Sequence, residues 1–167
     1  MSSTVIFLDI DGVLVTSRTF LAKLDGRYQF DHVGCGMLRH LCSKHTAHIV
    51  ISSTWRHFAD ITGRSPNQFK NLLFDNLTDG KLTDLLHDDW KTVDLHRFNH
   101  DTVRGDEIAE WLGRHPEVTN YAIIDDDPDM LPAQLSHFIH VNGVNGLQFE
   151  DYKSIDRILA GEIEELV

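Results

Sequence analysis

Three apolar runs of the sequence end in polar side chains that are suited to phosphate or metal chemistry. TVIFL ends at Asp9 and Asp11, HIVI runs into SSTWR over 52–56, and YAII ends in three aspartates over 125–127. A short β-branched and apolar run is typical of a buried strand in a parallel sheet. Gly12 lets the chain turn after the first run without a steric penalty. In one parallel sheet the strand ends share an edge, so the three clusters should converge.

Converging carboxylates would repel one another unless a cation lay between them. A hard divalent ion with oxygen ligands, Mg²⁺ first, is the natural neutraliser. A single Asp-x-Asp motif is often only a turn or a helix cap. The presence of three such clusters favours a functional site over a structural one.

The elements between these clusters alternate between strand and helix. This order predicts a Rossmann-like α/β fold, a doubly wound parallel sheet flanked by helices. The remaining predicted elements are helices over 36–45, 66–77, 105–114 and 152–166 and a strand over 137–141, with Gly80 closing the second helix.

The length of 167 residues predicts one domain over 1–167, with small inserts at about 16–35 and 57–100. Acidic residues within the first eleven positions speak against a signal peptide, and no apolar run is long enough to cross a membrane. We therefore expect a cytoplasmic protein with no membrane partner and no obligate protein partner. Cys35 and Cys42 are expected to be reduced and buried.

The net charge of −11 argues against broad, sequence-independent binding of nucleic acid. It leaves open a local basic groove near Arg56, Arg64 and Lys70. Eleven histidines are many for this length, but none lies in a zinc-binding pattern with cysteines or in an HExxH motif. We expect most of them to be surface or packing residues.

The stretches FLDIDGV, IVISS, VRGDEI and YAIIDDDPD resemble the four motifs of the haloacid dehalogenase (HAD) superfamily of aspartyl phosphatases. The resemblance implies a HAD-like fold with minimal cap inserts and a magnesium-dependent phosphomonoester hydrolase. By this similarity Asp9 would attack phosphorus, and Asp11 would protonate the leaving group and then activate water. Ser52 would hydrogen-bond the phosphoryl oxygens, with Ser53 as the second choice.

The third and fourth motifs imply a cation and the metal ligands. Arg104 is the first choice for the cation, but lysine is commoner at this position, so Lys91 competes with it. Asp9, Asp11, Asp126 and Asp125 are the implied ligands of Mg²⁺, with Asp126 ahead of Asp125. The other acidic residues of the fourth motif would support the ligands or cap a helix: Asp127 and Asp129.

A closer similarity is to two groups within the superfamily. ISSTWR, RGDEIAEWL and IIDDDPDM resemble the small-cap phosphatase branch found with nucleic-acid end-repair enzymes, and also the deoxyribonucleotidases. This implies an uncovered site that admits a polynucleotide end or a nucleotide. Trp55 would stack on a base and Arg56 would pair with a phosphate. Core packing for Trp55 and a surface ion pair for Arg56 are the structural alternatives.

Two other functions stay open at this stage. The first is a phosphatase of small sugar or nucleotide metabolites. The second is a non-catalytic metal-binding or phosphoacceptor signalling domain. The order of the acidic motifs differs from that of a receiver domain, and the presence of both Asp9 and Asp11 speaks against lost activity.

Overall fold

A computed structural model describes residues 3–22, 29–58 and 71–162. These residues contain five parallel strands in one sheet, with the spatial order β3-β2-β1-β4-β5. The strands are β1 at Ser3–Leu8, β2 at Ala47–Ile51, β3 at Leu86–Lys91, β4 at Val118–Asp125 and β5 at Phe138–His140. The predicted Rossmann-like α/β fold is confirmed.

Helices connect the strands and cover both faces of the sheet. The α-helices are α1 at Ser17–Leu21, α2 at His32–His45, α3 at Leu72–Asp79, α4 at Arg104–Arg114 and α5 at Phe149–Leu159. Short 3₁₀ helices lie at Thr54–Phe58, Thr83–Leu85 and Pro132–His137. No helix in these described parts of the chain is long and apolar enough to span a membrane.

The central strand β1 is buried on both faces, which explains its continuous apolar sequence. Ile6 and Leu8 belong to the core formed with α2, α3 and α5. Phe7, on the other face, packs with Trp111 of α4, at 5.3 Å between ring centroids in an edge-to-face arrangement. The two cores fix β1 between its neighbours and thereby fix the position of the residues that follow it.

The edge strand β3 was missed by the sequence prediction. Its sequence LHDDWK has no fully buried position and carries two aspartates, which is typical of an edge strand. Both α3 and β3 lie inside 57–100, the range predicted to be a small insert, yet β3 belongs to the sheet itself. The predicted helix over 66–77 is described only from Leu72, and residues 66–70 lie outside the described residues.

Helix ends differ from prediction where a cap or a turn decides them. Helix α2 begins at His32, because the Asp31 side chain accepts a hydrogen bond from Gly34 N–H at 3.0 Å. Helix α5 ends at Leu159 and not at 166, since Gly161 adopts a left-handed conformation with φ of 80°. The end of that prediction, 163–167, lies outside the described residues. Both cysteines are buried in α2 and unbridged, as predicted.

Candidate active site

Asp9, Ser52 and Asp125 lie side by side at the carboxyl edge of the sheet. They come at the ends of its three central strands, β1, β2 and β4. Ser52 N–H donates to the carbonyl of Leu8 at 2.9 Å, and Asp9 N–H donates to the carbonyl of Ile124 at 2.9 Å. The ladder of parallel hydrogen bonds therefore continues one residue past the strands and sets the spacing of the three side chains.

Asp9, Asp125 and Asp126 form a compact carboxylate cluster, with one oxygen of each within 4.8 Å of the others. Asp9 is 7% exposed and Asp125 is 3% exposed. Burial raises the pKa of Asp9 to about 7. Burial, and then the charge of Asp9, raises the pKa of Asp125 to about 8. The cluster must take up protons or a cation, and its oxygen ligands fit a hard divalent cation.

Two glycines leave the space that the Asp126 carboxylate occupies. A Cβ atom at Gly12 or at Gly143 would overlap Asp126 Oδ2. Gly12 also has a φ of 70°, the left-handed region that a side chain disfavours. The turn predicted at Gly12 is therefore confirmed, and the structure adds a second reason for glycine there.

Asp11 does not belong to the carboxylate cluster of the described residues. Its side chain is exposed, and Oδ2 accepts a hydrogen bond from Trp55 Nε1 at 3.0 Å. The Trp55 ring is 3% exposed and packs edge-to-face on Phe30, at 5.6 Å between centroids. The expected stacking of Trp55 on a base is thus corrected, because the ring is buried and its N–H orients Asp11; the alternative of core packing is what the structure shows.

The two serines after β2 have different surroundings. Ser52 is 1% exposed, and its hydroxyl has no hydrogen-bond partner among the described residues. Ser53 is fully buried, and a hydrogen bond between its side chain and Asp9 acts to lower the Asp9 pKa against the stronger effect of burial. Ser53 Oγ also accepts a hydrogen bond from Trp55 N–H at 3.3 Å. Ser53 therefore binds two neighbouring groups of the site, whereas the Ser52 hydroxyl is buried and unpaired among the described residues.

Arg104, and not Lys91, lies beside the carboxylate cluster. Arg104 Nε is 3.8 Å from Asp125 Oδ2, and the Arg104 side chain is 17% exposed. Lys91 Nζ instead lies 4.9 Å from the centroid of the Trp90 ring. Asp129 fixes the start of α4, since its Oδ2 accepts a hydrogen bond from Arg104 N–H at 3.0 Å.

Glu107 belongs to the site, although the sequence analysis did not identify it as a site residue. It is 3% exposed and accepts hydrogen bonds from Arg104 Nη1 at 2.9 Å, from Arg56 Nη2 at 2.9 Å and from Leu95 N–H at 3.0 Å. The expected pairing of Arg56 with a substrate phosphate is corrected, because Arg56 is 5% exposed and its guanidinium is bound to Glu107. The ion pair between Arg56 and Glu107 is buried, whereas the structural alternative was an ion pair on the surface.

The remaining predicted residues have supporting positions or lie outside the described residues. Asp127 N–H donates to Asp125 Oδ1 at 2.9 Å, which orients that carboxylate. Arg64 and Lys70, named for a local basic groove, lie outside the described residues.

The fold and the site together define a Rossmann-like α/β protein with a carboxylate cluster at the carboxyl edge of its sheet. The family model described as the HAD domain in Swiss Army Knife RNA repair proteins matches residues 5–152. The chain therefore belongs to this family of the HAD superfamily, and the resemblance stated from the motifs is confirmed. Membership supports a hydrolase function of the phosphatase type. Neither the curated proteins nor the solved structures gave a significant match.

Proposed function

We propose that this protein is a magnesium-dependent phosphomonoester hydrolase that works through an aspartyl phosphate on Asp9. One observation carries the proposal: Asp9 lies within 4.8 Å of two further carboxylates, at the strand end next to a buried hydroxyl that has no partner in the part of the chain that the structure describes. Repelling carboxylates and an unpaired hydroxyl both destabilise a fold, so their presence together calls for a ligand that satisfies both. A phosphate ester with a divalent cation does so.

The carboxylate cluster provides the ligands for the cation, with Asp9, Asp126 and Asp125 as the side chains concerned. Bound Mg²⁺ would neutralise the carboxylates and draw charge from the phosphoryl oxygens. The chain supplies two further groups for the charge on the phosphoryl group. The Ser52 hydroxyl can donate a hydrogen bond to it, and Arg104 lies beside Asp125 with a positive charge.

In the first step a carboxylate oxygen of Asp9 bonds to phosphorus while the bond from phosphorus to the ester oxygen breaks. Asp11 gives its proton to that ester oxygen, so the alcohol leaves neutral. In the second step a water molecule gives a proton to Asp11 as its oxygen bonds to phosphorus. The bond from phosphorus to Asp9 then breaks, inorganic phosphate leaves, and both aspartates return to their starting states.

For the substrate, a 3'-phosphate at a nucleic-acid end is the first choice and a nucleotide is the second. The family match supports this choice through its description as a domain of RNA repair proteins. A phosphatase of small sugar or nucleotide metabolites is the alternative. A non-catalytic metal-binding or phosphoacceptor domain would keep the carboxylates but would release no phosphate.

Phosphate release from an aryl phosphate, with and without Mg²⁺, tests the reaction. Asp9→Asn should abolish release while the protein still folds. Asp84→Asn is a matched control. Asp84 is exposed in the 3₁₀ helix before β3, where the parallel strands begin, whereas the site lies where they end. Unchanged turnover by Asp9→Asn would contradict the proposal. Equal rates on a 3'-phosphorylated oligonucleotide, nucleoside monophosphates and sugar phosphates would remove the preference for nucleic acid.

A further inference from the structure

A cavity of about 430 Å³ opens beside the carboxylate cluster. It lies between the 3₁₀ helix Thr54–Phe58, the loop that joins β3 to α4, and the first turn of α4. Arg104 lines it and also lies next to Asp125, so the cavity adjoins the proposed reaction site. Two polar atoms of its lining residues, Arg56 Nε and Asp129 Oδ1, are buried without a hydrogen-bond partner among the described residues.

A second cavity, of about 390 Å³, adjoins the first and is lined by residues of β3, the loop that follows it and Arg114 of α4. The two cavities share four lining residues, Arg56, His57, Asp94 and Arg97. We call the continuous depression the β3 cleft. It is larger than a terminal phosphate needs and leads away from the carboxylate cluster.

The β3 cleft differs in charge from the rest of the protein. Five of the 15 Lys and Arg residues line it, against four of the 26 Asp and Glu residues. Three of these four acids are paired with arginines: Glu107 with Arg56 and Arg104, Asp94 with Arg56 at 3.5 Å, and Asp89 with Arg114. The lining of the cleft therefore carries one more basic than acidic side chain, on a chain of net charge −11.

Two cations in the cleft remain available to a ligand. Within the described residues neither Arg97 nor Lys91 forms an ion pair, and both are exposed. Phe98, next to Arg97 in the same loop, is 86% exposed, the largest exposed fraction of any large apolar side chain among the described residues. His96 and His100 present two further rings, at 5.1 Å between centroids. Cations interleaved with exposed rings are the chemistry that contacts a phosphate backbone and stacks on its bases.

We propose that the β3 cleft receives a single-stranded polynucleotide whose terminal phosphate lies at Asp9. The inference rests on the proposed function and deepens it. Arg97 and Lys91 contact backbone phosphates, and Phe98 stacks on a base. A small metabolite or a single nucleotide would fill the first cavity alone, whereas a strand of several nucleotides uses both cavities and the exposed ring.

The test compares kcat/KM on 3'-phosphorylated hexanucleotides, both ribo and deoxyribo, with kcat/KM on an aryl phosphate. Phe98→Ala and a double Lys91→Ala/Arg97→Ala variant should each lower the oligonucleotide-to-aryl ratio by about 10-fold or more, on at least one of the two sugars. The double variant should also reduce the slope of log kcat/KM against log salt by about 2. Phe149→Ala and Lys153→Ala on α5 are matched controls with exposed side chains, and they should leave the ratio unchanged.

Ratios within 2-fold of the unmodified protein for both cleft variants would overturn the proposal. Equal kcat/KM on a 3'-mononucleotide and on the hexanucleotides would do so as well, because the second cavity would then contribute nothing. Binding of the labelled hexanucleotides to Asp9→Asn, followed by fluorescence anisotropy, separates this test from the proposed reaction. If no substrate is hydrolysed, the proposed function fails, while anisotropy still decides whether the cleft binds the strand.

Discussion

Glu107 holds the guanidinium of Arg104, with 2.9 Å between Glu107 Oε2 and Arg104 Nη1. The other carboxylate oxygen is bound to Arg56 at 2.9 Å. A buried acid between two arginines is well compensated, and it limits the freedom of both side chains. Glu107 therefore fixes the position of Arg104 beside Asp125, although Glu107 is not one of the three clustered carboxylates.

Glu107→Gln should lower kcat by about 10- to 100-fold with a smaller change in KM, because a weakly held Arg104 no longer lies beside the phosphoryl group. Steady-state kinetics on an aryl phosphate with Mg²⁺ measures this effect. Glu110→Gln is the matched control, since Glu110 pairs with Arg114 on the exposed side of the same helix. Wild-type kcat in Glu107→Gln would show that Arg104 needs no such support.

Gly12→Ala should both destabilise the fold and weaken the binding of Mg²⁺. The new Cβ would overlap the Asp126 carboxylate and would hold a left-handed φ, at a cost of about 1–3 kcal/mol. Gly113→Ala is a sharp control, because a Cβ there meets nothing within 4 Å and alanine favours the helix by about 0.5–1 kcal/mol. Urea unfolding and Mg²⁺ titration measure the two effects. Equal stability of the two variants would contradict the packing around Asp126.

Ser52→Ala should separate activity from stability. Its hydroxyl is buried without a partner within residues 3–22, 29–58 and 71–162, so its removal should leave the free energy of unfolding unchanged or raise it by up to about 1 kcal/mol. Phosphate release should fall by about 100-fold, the usual effect of removing a hydrogen-bond donor to developing charge. Ser53→Ala should instead destabilise the fold, because that side chain bonds with Asp9 and Trp55. A Ser52→Ala variant with full activity would remove the serine from the reaction.

Stability without metal should depend on pH through Asp9 and Asp125. Folding raises the pKa of Asp9 from 3.8 to about 7 and that of Asp125 to about 8. A raised carboxyl pKa means that the folded protein binds the proton more tightly. The stability contributed by the two protonated groups is therefore full below about pH 4 and is lost as pH rises towards 8.

Mg²⁺ should reverse this trend, since it competes with those protons for the same oxygens. The increase in Tm on adding Mg²⁺ should therefore be larger at pH 8 than at pH 5. Thermal unfolding at both pH values, with EDTA or with Mg²⁺, measures the difference. Asp84→Asn should follow the wild type, and Asp125→Asn should reduce the difference. An Mg²⁺ effect that is equal at the two pH values would contradict the carboxylate site.

The strands that the sequence predicted are those buried on both faces of the sheet. Strands β1, β2 and β4 each end in a buried apolar run because helices cover both faces, and the polar residues that follow these runs identify the site edge. The edge strand β3 lacks that signal, since only one side of it pairs with a neighbour. Helix ends were predicted less well, because caps such as the one at Asp31 depend on single hydrogen bonds.

Long-range partners explain what the sequence did not show of the site. Glu107 reads locally as an ordinary acidic residue of a first helical turn, and its partner Arg56 is 51 residues away. The sequence left Trp55 open between base stacking and core packing, and the turn into the 3₁₀ helix packs it on Phe30. Burial of these side chains follows from packing between segments, which periodicity along one segment does not encode.

Covalent trapping at Asp9 tests the central claim most directly. The protein would be mixed with Mg²⁺ and an aryl phosphate, quenched in acid during turnover, reduced with borohydride and mapped by peptide mass spectrometry. An aspartyl phosphate is reduced to homoserine, so the account predicts homoserine at position 9 in the wild type and in Asp84→Asn, and none in Asp9→Asn. Active turnover with homoserine at another aspartate, or with none at all, would contradict it.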